Sequence, residues 1–313
     1  MSEDAPPRKG SGEIGGPALA HPRWWPTWIG LGLLWLVAQT PWRFQRGLGR
    51  LLGRLLHALH RQRRHIAAVN LELCFPELEP AQRRRLLRQN FEALGISLFE
   101  MATAWWGPER RLRSLFVLRG REHLAAALER GNGVILLQGH FLTTDIGGQL
   151  LGMTIPFTAT YAPPRNPVMR RLTERLRGRH IAHQLHHSRV REIVRELQAN
   201  HVIWHGPDQS PSRRTSVEAR FFGYPALSSV STAKLARASG AAVVPYHPVR
   251  LPNGRYELRL EPPLADFPGD DLAAATQRVN DVLESHIRAA PEQYLWAHKR
   301  FKRVAEGAPD PYA

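Results

Sequence analysis

Two periodicities alternate along most of the chain. Six segments repeat apolar positions every three or four residues, which predicts helices at 80–105, 121–130, 167–178, 188–200, 231–240 and 271–290. Four shorter segments are continuously apolar or alternate with period two, which predicts strands at 133–138, 201–206, 241–249 and 256–262. Because strands alternate with helices and no Pro- or Ser-rich linker divides them, residues 66–313 are predicted to form one α/β domain with a largely covered sheet.

An uncharged apolar run covers residues 24–42, WWPTWIGLGLLWLVAQTPW. At ~1.5 Å per residue it would reach roughly 28 Å, close to the hydrocarbon thickness of a bilayer. Tryptophans stand at both ends, where indoles favour the membrane interface. A signal peptide would have a shorter apolar core, and a buried core helix would not need the flanking tryptophans. We therefore expect a transmembrane anchor at 24–42, after a Gly- and Pro-rich tail at 1–23 that is predicted to be disordered.

Leucines and arginines share the next segment, residues 43–65, which contains no acidic residue. The leucines follow helical spacing at Leu48, Leu51, Leu52, Leu55, Leu56 and Leu59, and the opposite side carries Arg46, Arg50, Arg54 and Arg61. This pattern predicts a basic amphipathic helix, either lying in an anionic membrane surface or packed on the domain. The excess of arginines indicates that this side of the expected anchor faces the cytoplasm.

The chain as a whole is strongly basic, with 43 Lys and Arg against 27 Asp and Glu and a formal net charge of +16. Such a balance indicates a polyanionic partner: a nucleic acid, an anionic membrane, a phosphorylated lipid or an acidic protein. The positive charge is spread over many segments and no known nucleic-acid-binding motif is present, so we expect no nucleic acid partner. Cys74 is the only cysteine, which excludes an intrachain disulfide and is consistent with a reducing compartment.

Several motifs of common enzymes are absent from the sequence. There is no G-x-S-x-G elbow, no G-x-x-x-x-G-K-[ST] phosphate loop and no dinucleotide fingerprint. Cys74 has no evident base beside it and is interpreted as a packing residue. The histidines of the central region lack an accompanying acid or cysteine at ligand spacing; they are His180, His183, His186 and His187. We therefore expect no metal site and no cofactor.

His140 and Asp145 stand where an apolar strand ends, in VILLQGHFLTTDIGG. On one continuous helix their side chains would lie about 140° apart and could not meet. They could meet if His140 lies in the turn after the strand and Asp145 in the first turn of the next helix. A carboxylate that accepts from one imidazole nitrogen fixes the tautomer, and the other nitrogen can take a proton from a hydroxyl. The two residues would act as catalytic base and orienting acid, and the substrate would supply the nucleophilic hydroxyl.

The sequence resembles the late acyltransferases of lipid A biosynthesis, the lauroyl and myristoyl transferases of Gram-negative bacteria. They belong to the wider glycerolipid acyltransferase superfamily with its H-x4-D/E signature. The resemblance runs nearly from end to end and rests on HPRWWPTWIGLGLLWLVAQTPW, NLELCFPEL, GHFLTTD, GPDQS, SVEARFFG, LARASGAAVVPYHPVR and APEQYLWAHKRFK. Together these phrases are highly specific, although any one of them alone would not be.

The resemblance implies a glycerolipid-acyltransferase-like α/β fold with a mixed central sheet flanked by helices. It implies a single-pass protein of the bacterial inner membrane, with its catalytic domain at the cytoplasmic face. The implied reaction transfers a fatty acyl chain, laurate-like, from acyl carrier protein to a hydroxyl of a lipid A precursor. His140, oriented by Asp145, would act as general base, and no acyl-enzyme would form.

Three further positions are candidate substrate-binding residues by this resemblance. Arg177 in RLRGRH and Asp208 in GPDQS match positions near the family's active site. On the residues alone, Arg177 could equally be one more arginine of a basic helix, and Asp208 a turn-forming residue after a strand. The chain departs from the family at YAPPRNP, where Ala162 replaces a usual arginine. Arg165 is the candidate replacement; otherwise the acceptor site differs.

Three other functions remain possible on the residues alone. The same chemistry could serve another membrane glycolipid or a lysophospholipid acceptor. A membrane-tethered nucleic-acid-binding protein would retain DNA in a salt-sensitive way without acyl transfer. A noncatalytic lipid-binding protein would show no turnover, and His140 would then be a buried, hydrogen-bonded residue.

Overall fold

The computed structural model describes residues 19–302 and 310–313. Its helices are α1 Trp25–Ala38, α2 Trp42–Leu59, α3 Arg61–Cys74, α4 Pro80–Trp106, α5 Glu109–Ser114, α6 Arg121–Leu128, α7 Thr144–Gly152, α8 Pro167–Arg177, α9 Val190–Gln198, α10 Ser231–Ser239 and α11 Leu272–Ala289. Its strands are β1 Phe116–Arg119, β2 Val134–Leu137, β3 Thr158–Tyr161, β4 His183–His186, β5 Val202–His205, β6 Ser216–Phe221, β7 Tyr224–Ser229, β8 Ala242–Arg250 and β9 Tyr256–Leu260. Short 3₁₀ segments lie at Pro22–Trp24, Arg213–Thr215 and Pro291–Gln293.

The central sheet has seven strands in the order β1-β9-β8-β2-β5-β3-β4. All neighbouring pairs are parallel except β8 with β9, which is antiparallel, and β6 with β7 forms a separate antiparallel hairpin. The prediction of an α/β fold with a mixed central sheet flanked by helices is therefore confirmed. Strands β2 and β5 lie inside the sheet, so their carboxyl ends meet at one edge of it.

Alternation along the inner strands divides the core into two clusters. Ile135 and Leu137 of β2 face a cluster built with α3, α4, α10 and α11, whereas Val134 and Leu136 face one built with α6 and α7. All four side chains are fully buried, which explains why β2 reads as an unbroken apolar run. The sheet is therefore covered on both faces, and the loops at its edge are the places left for chemistry.

Glycines let α2 approach α4 closely. A Cβ atom added to Gly53 would lie 2.2 Å from the Phe91 carbonyl oxygen, and one added to Gly95 would lie 2.1 Å from that of Gly49. Neither position can accept a larger residue without separating the two helices. This contact fixes the basic α2 helix on α4.

The transmembrane anchor predicted at 24–42 is wrong. The stretch contains α1, which ends at Ala38, and the helix stops because Pro41 has no N–H and disfavours helical backbone at the residue before it. The 14 residues of α1 span about 21 Å, short of the ~30 Å hydrocarbon layer. Within residues 19–302 and 310–313, none of the helices combines the length and the apolar character that crossing a bilayer requires.

Helices α1 and α2 nevertheless expose many large apolar side chains. Leu31 and Ala38 of α1 are buried, and Thr27 accepts a hydrogen bond from Asn166 at 3.0 Å, so α1 packs on the domain along one side. Its other side and the outer face of α2 expose Trp25, Trp28, Ile29, Leu33, Trp35, Leu36, Phe44, Leu51, Leu55 and Leu59. An apolar surface of this extent is typical of a lipid or protein contact.

Other predicted elements agree with the structure to within a few residues, and the differences have local causes. All six predicted helices of the domain and all four predicted strands are present, so these predictions are confirmed. The helix predicted at 43–65 is instead interrupted at His60, whose non-helical backbone separates α2 from α3. The periodicity predicts none of β1, β3, β4, β6 and β7, which are short or mixed in polarity. The tail predicted at 1–23 lies mostly outside the described residues.

Candidate functional site

Two adjacent strand ends position the functional loops. β2 and β5 are parallel neighbours with Leu137 opposite His205, and the Gln138 N–H donates to the His205 carbonyl at 3.1 Å. His140 lies three residues beyond the end of β2, and Asp208 lies three residues beyond the end of β5. Equal offsets from paired strand ends bring the two residues together, although 68 positions separate them in the chain.

His140 and Asp208 form a close pair. Nδ1 of His140 lies 2.5 Å from Oδ1 of Asp208, and the His140 backbone N–H donates to Oδ2 at 2.8 Å. The Asp208 side chain is 1% exposed, whereas that of His140 is 28% exposed. The carboxylate therefore holds one ring nitrogen from behind, and Nε2 is the nitrogen available to a molecule in the cleft in front.

Tyr294 provides the third hydrogen bond to the Asp208 carboxylate. Its hydroxyl donates to Oδ2 of Asp208 at 2.7 Å, and its ring is buried. The loop of His140 and the segment around Tyr294 also pair through the backbone: the Leu295 N–H donates to the His140 carbonyl at 3.1 Å. Three donors thus converge on one buried carboxylate, and the late segment of the chain holds the loop that carries the imidazole.

The charges of the pair support each other. Burial opposes protonation of His140, but the Asp208 carboxylate and its hydrogen bond outweigh burial and raise the pKa of His140. Burial likewise opposes ionisation of Asp208, yet the charge and hydrogen bonds of His140, with the Tyr294 hydroxyl, hold the pKa of Asp208 well below its usual range. Burial raises the pKa of Tyr294, so its phenol keeps the proton that it donates. Asp208 is therefore a carboxylate that strengthens the basicity of the imidazole.

Neighbouring side chains fix the plane of the imidazole. The Trp204 ring meets it edge to face, with centroids 5.9 Å apart, and Trp204 Nε1 donates to Gln138 Oε1 at 2.6 Å. Gln138 in turn donates to the Thr144 hydroxyl at 2.9 Å. A Cβ atom at Gly206 would lie 2.9 Å from Cε1 of His140, so this turn has room only for glycine.

Asp145 does not serve His140 as the sequence had suggested. It lies in the first turn of α7, as predicted, but its Oδ1 accepts from Nε of Arg177 at 2.9 Å and from the guanidinium Nη2 at 2.5 Å. The Asp145 and Arg177 side chains are 31% and 26% exposed. The expected pairing of His140 with Asp145 is therefore corrected to His140 with Asp208, because the adjacent strand end brings its acid closer to the ring than the following helix does.

A cleft of about 450 Å³ lies in front of this arrangement. The polar and charged side chains that line it include His140, Asp145, Arg177 and Gln209. Its apolar lining comes from Leu94, Phe141, Leu142, Phe157, Ala159, Ile181, Trp204 and Leu295. A base, an ion pair and an apolar wall in one cleft suit a substrate with both a polar and a hydrocarbon part.

The five predicted site residues occupy three different settings. The partly exposed His140 pairs with the buried Asp208, and Asp145 pairs with Arg177, both of them partly exposed, in the same cleft. Arg165 lies exposed on the loop before α8, and Ala162 rather than Arg165 lines the cleft. The contribution of Tyr294 was missed, although the phrase APEQYLWAHKRFK contains it, because a distant tyrosine reveals its partner only once the chain is folded.

The chain is similar to known proteins along nearly its whole length. The profile of the bacterial lipid A biosynthesis acyltransferases matches residues 14–303. The lipid A biosynthesis lauroyltransferase of Escherichia coli (strain K12) is 38% identical over 297 residues, which cover 94% of this chain and 97% of that protein. The palmitoleoyltransferase of the same strain is 36% identical over 284 residues, covering 90% and 92%, and its myristoyltransferase is 27% identical over 299 residues, covering 93% and 91%.

The family profile covers nearly the whole chain, and the first two relatives match it over nine tenths of its length or more. The resemblance that the sequence suggested is therefore confirmed. The chain belongs to the bacterial lipid A biosynthesis acyltransferases.

Proposed function

We propose that this acyltransferase moves a fatty acyl chain from acyl carrier protein to a hydroxyl of a lipid A precursor, with His140 as general base and Asp208 as its orienting carboxylate. The observation that carries the proposal is the pairing of the buried Asp208 with His140, which lines a cleft that also has apolar lining residues. With Nδ1 bonded to the carboxylate, Nε2 is free to accept a proton from the acceptor hydroxyl. The alkoxide-like oxygen attacks the thioester carbonyl, and the thiolate leaves.

Direct transfer without an acyl-enzyme is supported by the surroundings of the nucleophiles. Cys74 is buried in the core, and burial raises the pKa of its thiol well above the usual range. Within the described part of the chain, the four hydroxyl side chains that line the cleft have partners other than His140. Ser97 donates to the Leu94 carbonyl, Thr160 to the Trp204 carbonyl and Tyr161 to Glu174, and Thr144 accepts from Gln138. The substrate hydroxyl is then the nucleophile that His140 activates.

The second pair in the cleft is proposed to bind substrate. Asp145 holds the Arg177 guanidinium at the cleft wall, where its remaining N–H groups can bind a phosphate or carbonyl oxygen of either substrate. Arg165, on the exposed loop before α8, is proposed to contact the acceptor headgroup from outside the cleft. One of the relatives, 38% identical over 297 residues, is named as a lauroyltransferase, and on that likeness we propose a laurate-like donor chain.

We propose that the protein contacts an anionic membrane surface, at the cytoplasmic face of the bacterial inner membrane. The exposed apolar side chains of α1 and α2 support the membrane contact. Leu51, Leu55 and Leu59 form an exposed stripe on α2, and Arg50 and Arg54 of the same helix are also exposed. Leucines can enter the acyl boundary while arginines bind lipid phosphates. The acceptor, itself a lipid, would then reach the cleft from the surface that the protein binds.

The test of the proposed reaction is acyl transfer by purified wild-type and His140→Ala proteins. Dodecanoyl-acyl carrier protein serves as donor, with a lipid A precursor, another glycolipid and a lysophospholipid as alternative acceptors. General-base catalysis predicts a ~10²–10⁴-fold loss of rate in His140→Ala. His183→Ala, at an exposed histidine of β4, is the control and should keep the wild-type rate.

Transfer at the wild-type rate by His140→Ala would contradict the base assignment. Preference for the lysophospholipid would contradict the proposed acceptor. Mass spectrometry of the protein after incubation with donor alone tests the direct mechanism, and an acyl group found on any side chain would contradict it.

A further inference from the structure

A basic groove of about 660 Å³ lies among α2, α3 and α4, outside the cleft described above. Its ionisable side chains are His57, Arg61, Arg64, His65, Arg84 and Arg88. Among the described residues that line it there is neither Asp nor Glu. The groove is therefore a concave surface of one charge sign, which focuses the field toward an anionic partner.

Most of this positive charge has no local carboxylate. Arginines outside the groove do form ion pairs: Arg54, one turn before His57 on α2, pairs with Glu92, and Arg288 of α11 pairs with Glu77. In the described part of the chain, Arg61, Arg84 and Arg88 take part in no such ion pair and their side chains are exposed.

The remaining groove arginine has a structural partner, and a neighbouring imidazole responds to the local charge. Arg64 donates to the His57 and Ala58 carbonyls at the end of α2. Burial, followed by the charges of Arg64 and Arg88, lowers the pKa of His57. The positive field is thus felt by groups inside the groove.

The groove faces away from the apolar stripe of α2. Leu55 is exposed within that stripe, and His57, two residues later, lines the groove. Two residues on a helix place their side chains about 160° apart. When the leucine stripe contacts lipid, the groove is therefore open toward the aqueous side, which favours a soluble protein over a membrane as its occupant.

Two of the three helices around the groove, α3 and α4, also hold the segment behind the catalytic pair. Asn70 of α3 donates to the Trp296 carbonyl at 2.6 Å, and Asn90 of α4 donates to the Tyr294 carbonyl at 2.7 Å. Arg63 of α3 donates to the Ala297 carbonyl at 2.9 Å. Leu295, in this segment, lines the cleft. A partner seated in the groove is thus beside the segment that forms one wall of the cleft.

We propose that this basic groove docks the acidic surface of the protein that carries the acyl donor, so that the thioester enters the cleft past the segment around Leu295. This inference rests on the proposed function and assigns one surface to its donor. Complementary charge would act chiefly on encounter and on salt dependence. A protein-free thioester would not use the groove.

The test is the double variant Arg84→Glu/Arg88→Glu, compared with Arg130→Glu/Arg195→Glu. The control pair consists of exposed arginines on other elements, whose side chains form no ion pair within the described residues. The groove variant should raise KM for dodecanoyl-acyl carrier protein about tenfold, because each reversal replaces an attraction by a repulsion. Its kcat, and its KM for dodecanoyl-pantetheine, should remain at the wild-type values.

Direct titration with acyl carrier protein separates docking from catalysis. Weaker binding by the groove variant alone, with a reduced salt dependence, would support the groove. Wild-type affinity of the groove variant for acyl carrier protein would overturn the proposal. Loss of binding to anionic vesicles by the groove variant, with an unchanged KM for dodecanoyl-acyl carrier protein, would also overturn it and would identify the groove as a lipid contact. If the wild type bound the carrier through the groove but transferred nothing to the lipid A precursor, only the proposed function would be contradicted.

Discussion

Two carboxylates near the same imidazole have opposite environments. Asp208 is 1% exposed and receives hydrogen bonds from the His140 ring, the His140 backbone and Tyr294. Asp145 is 31% exposed and is bonded to Arg177, a residue of the cleft wall. Burial and convergent donors suit Asp208 to hold one tautomer of a base, whereas partial exposure and a cationic partner suit Asp145 to position a group that meets substrate. Proximity in sequence does not decide which acid orients the base.

The largest effect that would separate the two acids is expected from Asp208→Asn. An amide cannot stabilise the imidazolium and can present the wrong hydrogen-bonding group to Nδ1, so kcat should fall by ~10²–10⁴. Asp145→Asn is the matched variant and should lose much less kcat. Rates for both come from initial velocities of acyl transfer, with circular dichroism to verify folding. Equal losses of kcat in Asp208→Asn and Asp145→Asn would contradict the different roles of the two acids.

The next effect concerns the exposed pair. Arg177→Ala removes a charge-assisted contact to substrate, worth about 1.5–3 kcal/mol, so KM should rise roughly 10–150-fold with a smaller change in kcat. Arg175→Ala is the control, at an exposed arginine two residues before Arg177 on α8. Separate titrations of donor and acceptor show which substrate Arg177 binds. A loss confined to kcat would place Arg177 with the reacting groups instead.

A smaller effect is expected from Tyr294→Phe. The variant removes one of three donors to Asp208 while keeping the buried ring, so kcat should fall about 2- to 10-fold, in line with ~0.5–1.5 kcal/mol per hydrogen bond. A less stabilised carboxylate also holds the imidazolium proton more tightly, and the acid limb of the pH profile should move to higher pH. Tyr246→Phe, at a buried tyrosine whose hydroxyl donates to Gly147, is the control. An unmoved acid limb would leave Tyr294 with a packing role only.

The last effect is a shift in pH rather than a loss of rate. A base must be neutral to act, and the pKa of His140 is raised by Asp208 against the opposing effect of burial. The kcat/KM value should therefore rise with pH through a pKa above the ordinary histidine value of about 6.5. In Asp208→Asn only burial remains, so the limb should move to lower pH, while Asp145→Asn should leave it unchanged. An acid limb below pH 6.5 in the wild type would contradict the coupling.

The sequence was sufficient to predict the α/β class, the elements with strong periodicity and the strand-end position of His140. It also contained the information that an acid follows another strand, at Asp208, but it did not contain the order of strands. β2 and β5 are neighbours only in the folded sheet. From the sequence alone, Asp145 was therefore the more obvious partner for His140, because it follows only five residues later. Tyr294 was out of reach for the same reason, since its contact with Asp208 joins segments 86 positions apart.

The N-terminal region shows a different limit of sequence reasoning. Apolar content and flanking tryptophans predicted a spanning helix, but hydropathy does not measure where a helix stops. Pro41 was visible in the sequence, and its effect on the preceding residue divides the run into α1 and the start of α2. The exposed leucines of α2 were predicted by periodicity, although the break at His60 was not.

Gly206 carries a consequence beyond its turn. A single methyl group there would press on Cε1 of His140 and on the Trp204 ring, which lie 2.9 and 3.0 Å from the position it would occupy. The orientation of the His140 ring thus depends on the absence of a side chain at position 206. Among relatives that keep the same histidine–aspartate pair, this position should tolerate no side chain, and an alanine there would displace the imidazole in a protein that otherwise folds.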